Sequence, residues 1–368
     1  MKTSKIIFLF CLKVLLIGKV LSQSDPSIVA KKETLESTIP TLMEKYKVPG
    51  IAVSMIENGR SIGHTFYGVA DINGQEKITS STGFNVGSIS KVFTAVSILS
   101  LVEGGDIDLD SPVEKYLTRW KIPSSTYDHN RVTIRSLLNH TAGISIHGYP
   151  GFIDKDSLPS LEESLDGNNG PARENEKAEI IIEPQSQFKY SGGGYTLLQL
   201  VIEEVTGGSF ESYMQEKIFT PLNMNATTFE ITQQVLSSSA TPHDENMLPL
   251  PMEYFTAKAA AGLHTTLHDF TLFIERLLNK DSVIGPSSID LMMTPTEVSG
   301  NLYGLGVYNF KMGSMVMNGH AGSNTGWQSA FFIDLKTNSG LIMMTNGNAG
   351  DKALKQLLRK WASVHFKK

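Results

Sequence analysis

The chain has a single cysteine in 368 residues, Cys11, close to its start. No disulfide can form within the chain, a thiolate metal cluster is excluded, and no catalytic thiol exists beyond residue 11. Cohesion has to come from an apolar core. Strong charge is also missing: Lys+Arg number 32 against 37 Asp+Glu, a formal net charge of −5, and the basic residues never gather into a long run. That argues against nucleic acid as a partner. No internal repeat or low-complexity tract occurs. What remains, 40% hydrophobic and 19% charged, is the composition of a soluble globular protein of one large domain or two ordinary ones.

The opening MKTSKIIFLFCLKVLLIGKVLSQS runs from basic residues through an apolar stretch to Val20-Leu21-Ser22, the order of a signal peptide cleaved before Gln23. Residues 1–22 are therefore expected to be removed and 23–368 to form an exported domain, secreted or periplasmic. Lys13 interrupts the apolar stretch and makes it a poor membrane span; an uncleaved anchor is the alternative. Cleavage would remove Cys11 with Lys2, Lys5, Lys13 and Lys19, taking the formal charge from −5 to −9 and leaving no stable membrane span.

Helical periodicity marks PSIVAKKETLESTIPTLMEKYKV, and a hairpin follows around the Asn58-Gly59 turn signal. A helix begins near Ser88 and runs to about Glu103; it is apolar on all sides, as a central helix is. Helical signals dominate from Asp106 to about Leu278. Ser111-Pro112 with Glu114 reads as a helix start, Thr133 opens a short helix, and GYTLLQLVIEEVTG, SFESYMQEKIF and LHDFTLFIERLLN are helical. The polar, Gly- and Pro-rich stretch from Ser145 to Glu183 reads as a long surface insertion. Strands return in YGLGVYNF, MVMNGHAG, WQSAFFIDL and SGLIMMTNG, and DKALKQLLRKWASVHF closes the chain as an amphipathic helix. Strands at both ends with helices between predict one sheet built from the two termini. Its parts would be a sheet subdomain of about 23–87 and 300–368 and a helical subdomain of about 88–299.

The chemistry concentrates in FNVGSISKVFTA. A serine hydroxyl is a weak nucleophile without a neighbouring base. Ser88 and Lys91, three residues apart, share one helix face, and the helix N-terminus both lowers the lysine's proton affinity and favours a developing oxyanion. A helix cap and a solvated lysine would explain the same spacing. The apolar remainder of the helix favours the chemical reading, because it encloses the lysine where a charge is costly.

Together FNVGSISKVFTA, LLNHTAGI, YSGGGYTLLQLVIEEVTG and NGHAGSNTGW resemble the signature segments of the serine β-lactamase and penicillin-binding protein superfamily. More narrowly, they resemble its class C β-lactamase, D-peptidase and carboxylesterase branch. The resemblance implies a mixed α/β fold of the β-lactamase/transpeptidase type, an antiparallel sheet flanked by helices with a mainly helical region inserted. It implies an acylated Ser88, an activating Lys91 and a proton shuttle at Tyr190, as phenolate or through Lys91. His320 would stand where the family has its KTG lysine, offering a weaker positive charge. The N–H groups of Ser88 and Ser323, beside Gly322, would form the oxyanion hole. Gly192 replaces the asparagine of the family's YxN motif at the substrate-binding wall. No cofactor and no metal are implied. The expected activity is hydrolysis of a small ester or a short peptide, including one with D-residues; β-lactam hydrolysis, a non-catalytic penicillin-binding sensor on the same fold, or an inert scaffold are the alternatives.

Other motifs carry less. Gly59-Arg60-Ser61-Ile62-Gly63 fits GxSxG, yet strand-like residues follow where that motif needs a helix. His264 and His268 are spaced i, i+4 without the HExxH glutamate, and Thr266 with Asp269 reads as a capping box. The carboxylates of GGDIDLDSP and DINGQE read as turns and caps rather than calcium ligands. Asn139 and Asn225 head glycosylation sequons, Asn139 within a family motif.

Overall fold

The computed structural model describes residues 26–168, 176–312 and 315–365; the expected signal peptide, residues 1–22, lies outside them. In chain order the main elements are α1 (Pro26–Glu36), α2 (Ile39–Tyr46), β1 (Gly50–Glu57), β2 (Arg60–Asp71), β3 (Glu76–Lys77), β4 (Gly83–Asn85) and α3 (Ser90–Gly104). After several shorter helical segments come α4 (Gly192–Thr206), β5 (His264–Thr266), α5 (Leu267–Leu278) and α6 (Pro286–Met293). Then follow β6 (Tyr308–Met312), β7 (Met315–Asn324), β8 (Trp327–Asp334), β9 (Ser339–Thr345) and α7 (Gly350–His365).

Seven strands form one sheet in the order β3-β2-β1-β9-β8-β7-β6, and β4 pairs with β5 in a two-stranded ladder. The two chain ends meet at its centre, where β1 runs antiparallel to β9 with Ile51 opposite Thr345 and Ile56 opposite Gly340. The hairpin between β1 and β2 turns on Asn58 (φ 52°) and Gly59 (φ 74°), both left-handed as a two-residue primed turn requires.

Period-two alternation gives the sheet two buried faces. Ile51, Val53, Met55, Ala330, Phe332, Leu341 and Met343 face a cluster closed by Leu35 and Ile39 of the N-terminal helices and Leu357 and Trp361 of α7. Their neighbours Ala52, Ile56, Phe331, Ile333, Ile342 and Met344 point into the larger core with α3, α4 and α5. A strand buried on both faces reads as a continuous apolar run, which is what GIAVSMIE is.

α3 is the central helix expected from its apolar sequence. Every residue from Ser90 to Leu99 is buried, and Gly105 ends the helix in the left-handed conformation (φ 80°). Its Phe93 stacks on Phe273 with ring centroids 3.9 Å apart and meets Phe219 edge-on.

The helix begins near Ser88 as expected, through a 3-10 turn, Gly87–Ile89, that leads into α3 and sets Ser88 on the corner. Two expectations are corrected. The Ser111-Pro112 start yields only a 3-10 turn at Val113–Lys115. The Ser145–Glu183 stretch is no mere surface insertion, because Ile146, Leu161, Leu165, Ala178 and Ile180 are all buried; residues 169–175 lie outside those described. Short apolar residues scattered among polar ones hid this packing. Replacing Phe93 by alanine is expected to lower unfolding free energy by about 3–5 kcal/mol in urea titration, the cost of emptying an aromatic site in a packed core.

Candidate active site

β7 leaves the sheet's edge open where the site forms. β6 pairs with it from Met315 to Gly319, and from His320 onward that side of β7 lies against the Gly87–Ile89 turn instead. The approach is so close that it requires glycine on both sides. A Cβ on Gly87, whose φ is 52°, would stand 2.7 Å from Ser323 N, and one on Gly322 would stand 1.9 Å from Val86 O. The strand's Ser323 backbone therefore lies directly against the turn that carries Ser88.

Polar anchors fix that turn. Asn85 Oδ1 accepts from Gly87 N at 2.9 Å and from Asn324 Nδ2 at 2.7 Å, while Asn324 Nδ2 also donates to Ala261 O at 2.9 Å. Ser90 Oγ donates to Gly87 O at 2.6 Å and accepts from Leu263 N at 3.0 Å. Neither Asn85 nor Asn324 was singled out by sequence reasoning. The Asn-x-Gly spacing of Asn85 and Gly87 is the turn signal that would have found the first.

Lys91, the second residue of α3, is 1% exposed. Its Nζ donates to Ser88 Oγ at 3.1 Å and to Ala260 O at 2.6 Å, and lies 5.0 Å from the centroid of the Tyr190 ring. Among the described residues no carboxylate pairs with it. Desolvation without a counter-charge pushes its pKa from 10.5 down to about 7, so near neutrality a large share of Lys91 is a free amine.

Tyr190 reaches the same point from the other side. The next residue, Ser191, caps α4 by accepting from Gly194 N at 2.9 Å, and its own N–H donates to His140 Nδ1 at 3.1 Å. The Tyr190 hydroxyl hydrogen-bonds Ser88. Burial raises its pKa well above the ordinary tyrosine value and outweighs that hydrogen bond, so the phenolate expected from sequence is disfavoured. Tyr190 stays a neutral phenol beside an amine that is only partly protonated near neutrality.

His320 lines the cavity but carries no positive charge. Burial, then Lys91, lower its pKa to about 3. With Nδ1 2.6 Å from Ala321 O and Nε2 3.0 Å from the Tyr303 hydroxyl, the ring fits a neutral tautomer that donates from Nδ1 and accepts at Nε2. The weak cation anticipated at this position is thus replaced by a neutral polar wall, a consequence of the tyrosines packed around it: Tyr303 and Tyr308 lie within 5.9 Å and 5.2 Å of its ring centroid.

Gly192, expected at the substrate-binding wall, does not line the cavity. Its N–H donates to His147 O at 3.0 Å, and a Cβ there would stand 3.1 Å from that oxygen and 3.2 Å from Gly148 Cα. The chain at His147 has moved into the room a side chain would need, and the His147 ring sits 5.0 Å from that of Tyr190. Ser88, Lys91, Tyr190, His320, Gly322 and Ser323 all border one cavity of about 650 Å³.

The remaining motifs fall elsewhere. Ser61 lies in β2, its Oγ 3.3 Å from Ser54 Oγ and accepting from Gly63 N. His264 faces Asn85, whereas His268 faces His64, so the pair does not converge on one point. Thr266 caps α5 by accepting from Asp269 N. Asp108 caps its own turn and Asp110 holds Arg135 through two hydrogen bonds. Asn139 is 4% exposed and its amide oxygen is taken by Thr141.

Comparison with known proteins places this geometry in a family. The family model described as Beta-lactamase matches residues 35–365. The chain belongs to the beta-lactamase family. Protein flp of Staphylococcus aureus (strain COL) is 25% identical over 326 residues, 86% of this chain and 64% of flp; the chain thus spans a little under two thirds of that relative's length. Penicillin-binding protein 4* of Bacillus subtilis is 29% identical over 201 residues, 54% of this chain and 41% of its own. Among solved structures, the octameric penicillin-binding protein homologue from Pyrococcus abyssi superposes with a TM-score of 0.73 at 27% identity, over 90% of this chain and 80% of that one. SurE, at 22% identity, TM-score 0.75 and coverage of 92% and 77%, shares the fold. Members of this beta-lactamase family are serine hydrolases.

Replacing Lys91 by methionine is expected to raise the melting temperature, since a fully buried amine is exchanged for an apolar side chain of similar length. The sign of its pH dependence follows from the depressed pKa. Below about pH 7 folded and unfolded chains both hold the proton and the penalty is complete; between about 7 and 10.5 only the unfolded chain holds it, so the penalty fades as pH rises. Calorimetry of the two proteins should show their gap largest at pH 6 and narrowing towards pH 10.

Proposed function

We propose that the protein is an exported serine hydrolase that cleaves a small ester, or an amide such as a short peptide with D-residues, through an acyl-Ser88 intermediate. The observation that carries this reading is Lys91: a buried amine with no carboxylate partner among the described residues, its pKa near 7, and its Nζ 3.1 Å from Ser88 Oγ. Such an amine can accept the serine proton directly as Oγ attacks the carbonyl carbon. The developing oxyanion would be met by the N–H groups of Ser88 and Ser323, which the close approach of Gly87 and Gly322 brings to one spot. The proton on Lys91 then passes through the Tyr190 hydroxyl to the leaving oxygen or nitrogen as the tetrahedral intermediate collapses. Water enters, gives its proton back along the same route, and releases the acid.

The walls favour uncharged substrates. His320 is neutral, and the other lysine bordering the cavity, Lys355, is paired with Asp351 at 3.0 Å. With His320 neutral, a β-lactam carboxylate would find no counter-charge at that position, which supports ester or amide hydrolysis over β-lactamase activity. The names of the relatives support the second reading, a penicillin-binding sensor: a β-lactam adduct on Ser88 that never clears would favour it.

Export rests on residues 1–22 alone, and N-terminal sequencing of secreted protein should begin at Gln23. A serine-reactive phosphonate is expected to add once to the wild type and not at all to Ser88→Ala in intact-mass spectrometry; absence from both would remove the hydrolase reading. Lys91→Ala should lower kcat/KM for p-nitrophenyl acetate by about 10³-fold. Because the free amine is the active form, the wild-type kcat/KM should climb with pH below about 7 and level off above it.

A further inference from the structure

Below the active-site cavity, between the sheet and α7, lies a second pocket of about 330 Å³. Phe310, Met317, Ala330, Phe332, Leu354 and Leu358 make its walls and floor. It sits on the sheet face opposite the large core, in the layer closed by α7, and Met317, Ala330, Phe332 and Leu354 are each no more than 6% exposed. A mature core layer usually closes over such a space. Here it opens instead towards the site: Phe310, Ala321, Gln328, Asp351 and Lys355 border both this pocket and the cavity that holds Ser88.

The passage between them runs over the open edge of β7 at Ala321. A substrate laid along that edge at Ser323 with its reacting carbonyl at Ser88 would have one end directed towards Ala321, which borders both spaces. The mouth is spanned by the Asp351–Lys355 pair, one turn apart on α7, with Lys355 70% exposed. An exposed pair of this kind holds little energy and parts readily, and the lysine's methylene stem offers apolar surface to a chain passing beneath it.

We propose that this pocket is a specificity subsite that takes an unbranched apolar chain of the substrate, so that the protein prefers esters carrying an alkyl chain over acetyl-sized ones. The proposal rests on the hydrolase reading above. Its support is the shared border of the two spaces and the mainly apolar walls of the inner one, whose polar lining residues are Lys311, Gln328, Ser329, Asp351 and Lys355; a chain passing those groups meets apolar surface, where a strongly hydrated group gains little for its desolvation. A chain on the acyl side and a chain on the alcohol side have the same chemistry, and the assay separates them.

Two ester series test it with the full mature chain: nitrophenyl esters of straight-chain acids from acetyl to dodecanoyl, and acetate esters of straight-chain alcohols over the same range. In one of the two, kcat/KM should rise by up to about fourfold per methylene and then flatten when the pocket is full. Ala330→Phe, which fills the floor from β8, should abolish the rise while leaving nitrophenyl acetate within about twofold of wild type. Leu358→Trp, which fills it from α7 at a half-buried position, repeats the test should the first variant melt early. Active hydrolysis of acetate with two flat series, or variants that keep the wild-type slope, would overturn the subsite and leave the hydrolase reading standing. No turnover of any ester, with no phosphonate on Ser88, would overturn both.

Discussion

The site depends on keeping one amine dry. Lys91 sits at the start of a helix whose remainder is apolar, and among the described residues its hydrogen bonds go to a serine hydroxyl and the Ala260 carbonyl. A carboxylate beside it would hold the ammonium form and end its use as a base; open water would do the same. The rest of the molecule supplies the enclosure. α3 runs through the large core, the 258–261 turn presents Ala260 O, and the rings of Tyr190 and Tyr195 stand 5.0 Å and 5.6 Å from the nitrogen. The effect spreads outward, because a group that carries charge part of the time keeps its neighbours uncharged: His140 and His320 are both held below the ordinary histidine range by burial first and Lys91 second.

Enclosure and access conflict, and the sheet resolves the conflict at its edge. Were β6 to continue pairing along β7, the strand would be satisfied and the cleft shut. Pairing stops at Gly319, opposite Tyr308, and the freed edge turns to the Ser88 corner. Two glycines then let backbone meet backbone at distances no side chain tolerates. The nucleophile is thus carried by the helical region and the opposing strand by the sheet, and the cavity is the seam between them. The Asn85–Asn324 hydrogen bond, at 2.7 Å, ties the two sides of that seam.

Much of this was legible in the sequence because it is local. Ser88 and Lys91 share a helix face by spacing, the apolar run after them dictates a buried helix, and strand signals at both ends with helices between place both chain ends in one sheet. What the sequence hid was set by three-dimensional neighbours. The charge state of His320 depends on its burial and then on Lys91, which lies far away along the chain, and its Nε2 is 3.0 Å from the Tyr303 hydroxyl. Tyr190 reads as a possible phenolate beside a lysine only until that lysine is seen to lack a full charge. Gly192 reads as a missing asparagine; nothing in the sequence signals that the His147–Gly148 backbone packs close against it, 3.1–3.2 Å from where a Cβ would stand.

These corrections point the same way. A charged base, a phenolate and a cationic histidine would together make a strongly polar site suited to anionic substrates. The folded chain instead presents an amine that is largely free of its proton above about pH 7, a neutral phenol and a neutral imidazole, grouped with Tyr303, Tyr308 and His147 in an aromatic wall. In such a site the largest electrostatic change comes during the reaction itself, when Lys91 gains a proton and the carbonyl oxygen gains negative charge a few ångströms away. Low polarity in the resting state makes that new pair of charges attract strongly, so the interaction is realised in the transition state and not in the ground state. The same dryness that costs the protein stability at Lys91 is therefore what lets a lysine, ordinarily too basic to be a free amine, serve as the base.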